Sequence, residues 1–95
     1  MAAWRLIYSE ASRKQARSLH PSVKLVVKAR IEELQNDPYR GKSLERELAG
    51  YYSYKAKRFR IIYKIDQPTQ TVQIHYVGHR KDIYELFKES LSCTS

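Results

Sequence analysis

The stretch GYYSYKAKRFRIIYKI, residues 50–65, has the clearest structural pattern in this chain of 95 residues. Aromatic and aliphatic side chains alternate with polar ones on either side of Lys57 and Arg58, a pattern typical of two antiparallel strands joined by a tight turn. Because side chains alternate between the two faces of a strand, every second residue is predicted to point into the core. The residues predicted to face the core are Tyr52, Tyr54, Ala56, Phe59, Ile61, Tyr63 and Ile65.

The same stretch contains five cations and no anion. Lys55 and Arg60 are predicted to lie on the outward face of the hairpin, a few residues on either side of the turn. Neighbouring strands are about 4.8 Å apart, so two cations placed there repel each other and weaken the sheet. We interpret the pair as a site for an anion. The alternative is a solvated sheet face that carries Lys and Arg for solubility.

The charge of the whole chain supports the first interpretation. Eighteen Lys and Arg against ten Asp and Glu give a formal net charge of +8. Residues 51–81 carry seven of these cations against Asp66 alone. Positive charge concentrated in one segment is typical of a protein that binds a polyanion such as nucleic acid.

The remaining segments predict the element order β-α-α-β-β-β-α. Residues 2–8 alternate as a first strand, Ser9 is a plausible N-cap for a polar helix, and Pro21 suits the first position of a second helix. Residues 72–77 alternate as the last strand, and a short helix is predicted over 80–91. The predicted apolar positions are Ala11, Ala16 and Leu19 in the first helix and Val23, Val26, Val27, Ile31 and Leu34 in the second. The fold class is therefore α+β, with a helix hairpin packed on an antiparallel sheet.

Length and composition exclude several other classes of protein. We expect one domain over 1–95, because the chain is too short for two cores. No apolar run reaches the roughly 20 residues of a membrane span, and the N-terminus turns charged too early for a secretion signal, so a cytoplasmic location is expected. Cys93 is the only cysteine, and the three histidines show no ligand spacing. No metal and no cofactor are expected.

Two segments, LAGYYSYKAKRFRIIYKI and VQIHYVGHRKDIYELF, resemble the RelE/ParE superfamily of bacterial and archaeal toxins. The family pattern is Leu-x-Gly, a basic strand, a turn, an aromatic-Arg-Ile-Ile-Tyr strand, and a last strand that runs into Gly-His-Arg-x-x-x-Tyr. The matching residues are Leu48, Gly50, Phe59, Arg60, Ile61, Ile62, Tyr63, Gly78, His79, Arg80 and Tyr84. The resemblance covers nearly the whole chain and implies the RelE-like microbial ribonuclease fold.

That superfamily includes messenger RNA interferases of the RelE kind and DNA gyrase inhibitors of the ParE kind. The ending from Gly78 to Tyr84 resembles the RelE side. It implies a ribosome-dependent endoribonuclease that cuts messenger RNA by metal-independent attack of the 2′-hydroxyl and so inhibits translation. The implied partners are the ribosome, messenger RNA and a cognate acidic antitoxin, with no membrane involved. Two alternatives remain open: a gyrase inhibitor, or a nucleic-acid-binding module without catalysis.

By position, the resemblance implies catalytic roles for Lys55, Arg60, Arg80 and Tyr84. The four-residue spacing of Arg80 and Tyr84 would put both on one face of the predicted helix. The alternative is that Tyr84 only packs on the sheet and Arg80 pairs with a nearby acid. The candidates for RNA binding are Lys57, Arg58, His79 and Lys81.

One departure from the family pattern leaves the general base open. Ser53 stands where some relatives carry a further strand lysine, and Lys57 and Arg58 stand where many carry Gly-Asp or Gly-Asn in the turn. Either Lys57 supplies the missing cation from the turn, or the site has one base fewer. An antitoxin segment is expected to pack on the sheet and the helix hairpin and to cover or distort the face with Lys55 and Arg60.

Overall fold

The computed structural model describes residues 4–79, 83–85 and 87–88. Its regular elements are β1 (Arg5–Tyr8), α1 (Glu10–Arg17), α2 (Pro21–Asn36), β2 (Lys42–Ser43), β3 (Tyr51–Ala56), β4 (Phe59–Asp66) and β5 (Thr71–His79). Single turns of 3-10 helix cover Pro38–Arg40 and Arg46–Leu48. Residues 83–85 and 87–88 are helical and are called the C-terminal helical segment below.

The described strands form one sheet of five in the order β1-β5-β4-β3-β2. The predicted hairpins are confirmed, since β3 pairs with β4 and β4 pairs with β5, both antiparallel. The first strand returns beside the last one and pairs with it in parallel, so the sheet as a whole is mixed. The α+β class is confirmed, and so is the predicted order of elements as far as β5; the predicted last helix over 80–91 lies partly outside the described residues. The two-residue strand β2, which pairs with β3, was not predicted.

The apolar stripe predicted for the first helix is confirmed only in part: Ala16 and Leu19 are half-buried and Leu19 packs against the core, but Ala11 is exposed and Ser12 is fully buried. Parallel pairing of β1 ends at Tyr8 opposite Ile74, which leaves the rest of one β5 edge without a strand beside it. Instead, polar side chains of α1 form hydrogen bonds with that edge. Ser12 Oγ donates to the carbonyl of Ile74 at 2.8 Å, and the amide of Val77 donates to Gln15 Oε1 at 2.8 Å. An edge covered in this way is protected from pairing with another chain.

Both helices pack on one face of the sheet and form the larger core with it. The predicted orientation of the hairpin is confirmed, because Ile61 and Tyr63 are fully buried on this face. We call this cluster the helix-face core. Its buried members are Val27, Ile31, Leu34, Ala56, Ile61, Tyr63, Val72, Ile74 and Val77.

A smaller cluster covers the opposite face of the sheet. Ile62 was predicted to point away from the helices, and it does, but the C-terminal helical segment buries it completely. We call this group the second-face cluster. Its buried members are Leu48, Ile62, Ile83 and Phe87, and Leu44, Tyr51, Tyr76 and Tyr84 pack around them.

The hydroxyl of Tyr63 fixes the connection between α2 and β2. It donates to the carbonyl of Pro38 at 2.6 Å and accepts from the amide of Gly41 at 3.1 Å. A Cβ atom at Gly41 would overlap with this hydroxyl, which explains the glycine there. Burial raises the pKa of Tyr63 well above its usual range, so the hydroxyl keeps its proton and its bond. The chain after α2 is thereby held in place for β2 to pair with β3.

Candidate nucleic-acid interface

Lys55 and Arg60 lie directly opposite each other across the β3–β4 hairpin, as the sequence predicted. Directly paired residues of an antiparallel sheet turn their side chains to the same face, which here is the one that carries the second-face cluster. Arg60 is in turn opposite Gly78 on β5. Because Gly78 has no side chain, no side chain from that strand position lies beside the guanidinium. The row therefore presents two neighbouring cations.

No acid among the described residues neutralises these cations. The ion pairs in that part of the chain are Glu10 with Lys14, Arg30 with Glu33, and Glu47 with Lys88. Arg60 is partly buried, and its Nε is shielded from solvent with no hydrogen-bond partner in the described part of the chain. A shielded donor without a partner is costly, and a bound anion would compensate for that cost.

Tyr84 reaches the same face from the C-terminal helical segment. Its hydroxyl donates to Ser53 Oγ at 3.1 Å, and only 3% of the Ser53 surface is exposed. Ser53 precedes Lys55 by two residues on one face of β3, which separates their Cα atoms by about 7 Å. The structure therefore brings Tyr84 to the strand that carries the hairpin cations.

The other predicted site residues lie at the end of the hairpin or outside the described residues. Lys57 and Arg58 form the exposed turn between β3 and β4. His79 is exposed at the end of β5, opposite Phe59, and their ring centroids are 5.6 Å apart. Arg80 and Lys81 lie outside the described residues.

Lys57 has a backbone conformation that lysine rarely adopts, with φ at 57°. This left-handed region favours glycine and asparagine, because other side chains clash there with their own backbone. The position matches the turn where the family pattern has glycine. The turn keeps a cation at an energetic cost, which is consistent with a use for charge at this end of the sheet.

Sequence reasoning missed Lys42 as a member of this surface. Lys42 lies on β2 directly opposite Ser53, so its exposed side chain is on the same face as Lys55. The sequence does not indicate a strand there, because two residues are too few to show alternation. The basic residues before the hairpin were the available signal, but only the pairing with β3 shows which face they occupy.

The described residues of this face also include His75. Burial, and secondly the charge of Lys64, lower the pKa of His75 below its usual value near 6.5. Its ring lies edge-on to Tyr51 with the centroids 5.3 Å apart. No group of three His, Cys, Asp or Glu that could hold a metal ion occurs among the residues that the structure describes. In the same residues, no helix is long and apolar enough to cross a membrane.

The protein is thus a small basic α+β protein, with a five-stranded sheet that carries a helix hairpin on one face and a row of cations on the other. Comparison with known proteins identifies its family. The model of the ParE toxin of the type II toxin–antitoxin system parDE matches residues 3–84. Toxin RelG of Mycobacterium tuberculosis is 38% identical over 79 residues, which cover 81% of this chain and 91% of that protein. This chain belongs to the RelE/ParE superfamily of type II toxins.

Solved structures agree with that assignment. The toxin–antitoxin complex RelBE2 of Mycobacterium tuberculosis contains a chain that is 34% identical, with a TM-score of 0.76 over 86% of this chain and 97% of that one. A mutant of Escherichia coli toxin RelE in the free state has a TM-score of 0.77 over 95% of this chain and 96% of that one. At 22% identity, that second match shows the fold alone.

Proposed function

We propose that this toxin is a ribosome-dependent endoribonuclease, an interferase that cleaves messenger RNA in the ribosomal A site and so inhibits translation. The observation that carries the proposal is the directly opposed pair Lys55 and Arg60, with no neutralising acid among the described residues. The similarity to Toxin RelG and to the toxin of the RelBE2 complex favours the RelE side of the superfamily.

Cleavage of RNA by its own 2′-hydroxyl needs three things from the protein. The hydroxyl proton must be removed, so that the oxygen attacks phosphorus. The extra negative charge of the five-coordinate phosphorane must be stabilised. The 5′-oxygen must receive a proton as its bond to phosphorus breaks, which leaves a 2′,3′-cyclic phosphate and a free 5′-hydroxyl.

The described residues can supply the first two of these functions. The planar guanidinium of Arg60 matches two phosphate oxygens and keeps its charge, so it suits the phosphorane. Tyr84 and Lys55 are the candidates for accepting the proton of the 2′-hydroxyl. The proton for the 5′-oxygen is assigned to Arg80 or to a protonated lysine.

The other cations of this face are proposed to attract the RNA backbone and not to take part in the cleavage step. Lys57, Arg58 and Lys81 are proposed to bind phosphates, and Lys42 extends this surface to β2. The described residues of this face include no pair of imidazoles for acid and base catalysis, so catalysis would depend on an accurately oriented substrate. The ribosome would supply that orientation by holding the message in place.

A cognate antitoxin is the second proposed partner, as in the solved RelBE complexes. The helix hairpin offers a groove for an acidic segment of such a protein. The groove has a volume of about 380 Å³, an apolar floor with Leu19, Val27 and Ile31, and a rim of cations. The cations of the rim are Arg13, Arg17, Lys24 and Lys28. An acidic partner would be steered toward both this rim and the hairpin cations.

The test is single-turnover cleavage of messenger RNA on programmed ribosomes, with DNA gyrase supercoiling assayed alongside. We expect the wild type to cut the message, and Arg60→Ala to lower the rate about 10²–10³-fold, as is typical when a charge-stabilising donor is lost. Arg17→Ala, an exposed arginine on α1, is the matched control and should cut at close to the wild-type rate. Inhibition of gyrase without any RNA cleavage by the wild type would contradict the proposal and favour the ParE-like alternative.

A further inference from the structure

Ser53 differs from the other buried polar residues in what it bonds. The buried polar residues in the described part of the chain are Ser12, Ser53 and Thr71. Ser12 satisfies backbone carbonyls, and Thr71 bonds Thr69 two residues away. Ser53 instead accepts a bond from a side chain 31 residues further along, the hydroxyl of Tyr84. Its hydroxyl therefore links two different parts of the proposed site.

Packing alone leaves the position of the Tyr84 oxygen undetermined. The ring of Tyr84 rests against the second-face cluster, and such an apolar contact fixes the plane of a ring better than the direction of its hydroxyl. A buried hydroxyl that loses its partner costs about 1–3 kcal/mol, so the bond to Ser53 holds the phenol oxygen in one place. That place is over the middle of β3, about 7 Å along the strand from Lys55.

We propose that Ser53 is the positioning residue of Tyr84, which it holds beside the pair of Lys55 and Arg60 in both protonation states of the phenol. This inference rests on the proposed ribonuclease function and specifies its proton acceptor. A serine hydroxyl carries one donor and two acceptor lone pairs, so it can bond a phenol or a phenolate without moving.

The direction of the hydrogen bond between Ser53 and Tyr84 reverses during the reaction. Before reaction, the Ser53 hydroxyl donates to the Tyr84 phenolate in a charge-assisted bond, which is about twice as strong as a neutral one. The phenolate then takes the proton of the 2′-hydroxyl, and the freed oxygen attacks phosphorus. Tyr84 is now a phenol and donates to Ser53 Oγ, which is the arrangement that the structure shows. The 5′-oxygen leaves with a proton from the general acid. After product release the phenol gives a proton to solvent and the acid regains one, which restores the starting state.

A lysine at this position would serve only one of the two states. An ammonium group has three donors and no acceptor, so it stabilises the phenolate but cannot accept from the phenol. The serine leaves the supply of positive charge to Lys55, Arg60 and Lys42, whose side chains share its face. Position and charge are thus provided by different residues in this chain.

The experiment is a double-mutant cycle with wild type, Ser53→Ala, Tyr84→Phe and the double variant, in single-turnover cleavage at saturating ribosomes. Loss of one positioning bond should lower the rate of Ser53→Ala about tenfold, without changing the concentration that gives half saturation. Adding Ser53→Ala to Tyr84→Phe should cause no further loss, because the serine acts only through the phenol.

Ser53→Thr keeps the hydroxyl and should restore the rate to within about threefold of wild type, since only a methyl group is added. Ser43→Ala, on the exposed neighbouring strand, is the matched control and should be fully active. An independent reading comes from aromatic carbon–proton spectra of the free protein, in which the Tyr84 signal is assigned by its loss in Tyr84→Phe. That signal should shift in Ser53→Ala and not in Ser43→Ala.

The two proposals fail in different ways. A wild type that cuts RNA, together with independent losses from Ser53→Ala and Tyr84→Phe that simply add, would overturn the role of Ser53 and leave the ribonuclease function standing. The same holds for an unshifted Tyr84 signal in Ser53→Ala. A wild type that cuts no RNA would overturn the proposed function, and the positioning role with it.

Discussion

The two faces of the sheet are built from the same strands but differ in how their polar groups are satisfied. On the helix face, the Tyr54 hydroxyl donates to Glu33 Oε1 at 2.6 Å, and Arg30 pairs with the same carboxylate at 2.8 Å. The bond to Tyr54, ahead of the one from Arg30, lowers the pKa of Glu33. On the other face, Lys55 and Arg60 have no acidic partner among the described residues.

This difference shows how a small protein combines stability with a binding surface. Alternation along a strand sends neighbouring residues to opposite faces, so one strand can fill a core and also line a site. The helix-face core takes the larger share of buried residues, while the second-face cluster leaves the row of cations open at one end. We therefore expect changes on the helix face to reduce stability, and changes on the second face to reduce function.

The largest contrast is expected between two neighbours on β4, Ile61 and Arg60. Ile61 is fully buried in the helix-face core, so Ile61→Ala should lower the free energy of unfolding by about 3 kcal/mol. The Arg60 side chain makes no hydrogen bond or ion pair within the described part of the chain. Arg60→Ala should therefore change the free energy of unfolding by less than about 1 kcal/mol. Urea denaturation of both variants measures this, and equal destabilisation would show that the faces do not divide stability from function.

A second effect, of about 2 kcal/mol, is expected for Tyr63→Phe. Phenylalanine keeps the buried ring but leaves the Pro38 carbonyl and the Gly41 amide without their shared partner. The loss should appear in urea denaturation at neutral pH, where Tyr63 is protonated in the folded protein. Tyr52→Phe is a control on the same face, since its hydroxyl makes no hydrogen bond within the described residues. A stable Tyr63→Phe would mean that β2 is held by something else.

A smaller effect of opposite sign is expected for Lys57→Gly. Glycine tolerates the positive φ of this position, so the variant should be more stable by about 0.5–1 kcal/mol, despite the greater flexibility of its unfolded chain. It should also bind the ribosome or RNA more weakly, because it loses one phosphate contact. A gain in stability together with a loss of binding would show that the turn retains its cation for function. Unchanged binding would remove Lys57 from the proposed interface.

The smallest effect is expected for the loss of a single cation at the edge of the site. We compare Lys42 with Lys24, a lysine on the other side of the sheet. Lys42→Ala should weaken binding of single-stranded RNA several-fold and lower the salt slope of the affinity by about 0.7, the value for one phosphate contact. Lys24→Ala, on α2, should leave both unchanged. Fluorescence anisotropy over a range of salt concentrations measures the slope, and equal effects of the two variants would indicate nonspecific attraction by net charge.

Sequence patterns alone were enough to predict the strands of the hairpin, the side of the sheet that each of its residues faces, and the opposition of Lys55 and Arg60. They also indicated the N-cap at Ser9 and the apolar face of α2, where Val27, Ile31 and Leu34 are buried as predicted. These features follow from periods of two and of 3.6 residues and from turn chemistry, which act within a few residues of chain.

Which distant segments meet became visible only in the folded chain. Three features join segments from 11 to 66 residues apart: the pairing of β1 with β5, the cover of Ser12 and Gln15 over an open strand edge, and the place of Lys42 opposite Ser53. The hydrogen bond between Ser53 and Tyr84 is another contact between distant segments. A local pattern shows which face of an element is apolar but not which partner covers it, because that choice depends on how all the surfaces of the chain fit together at once.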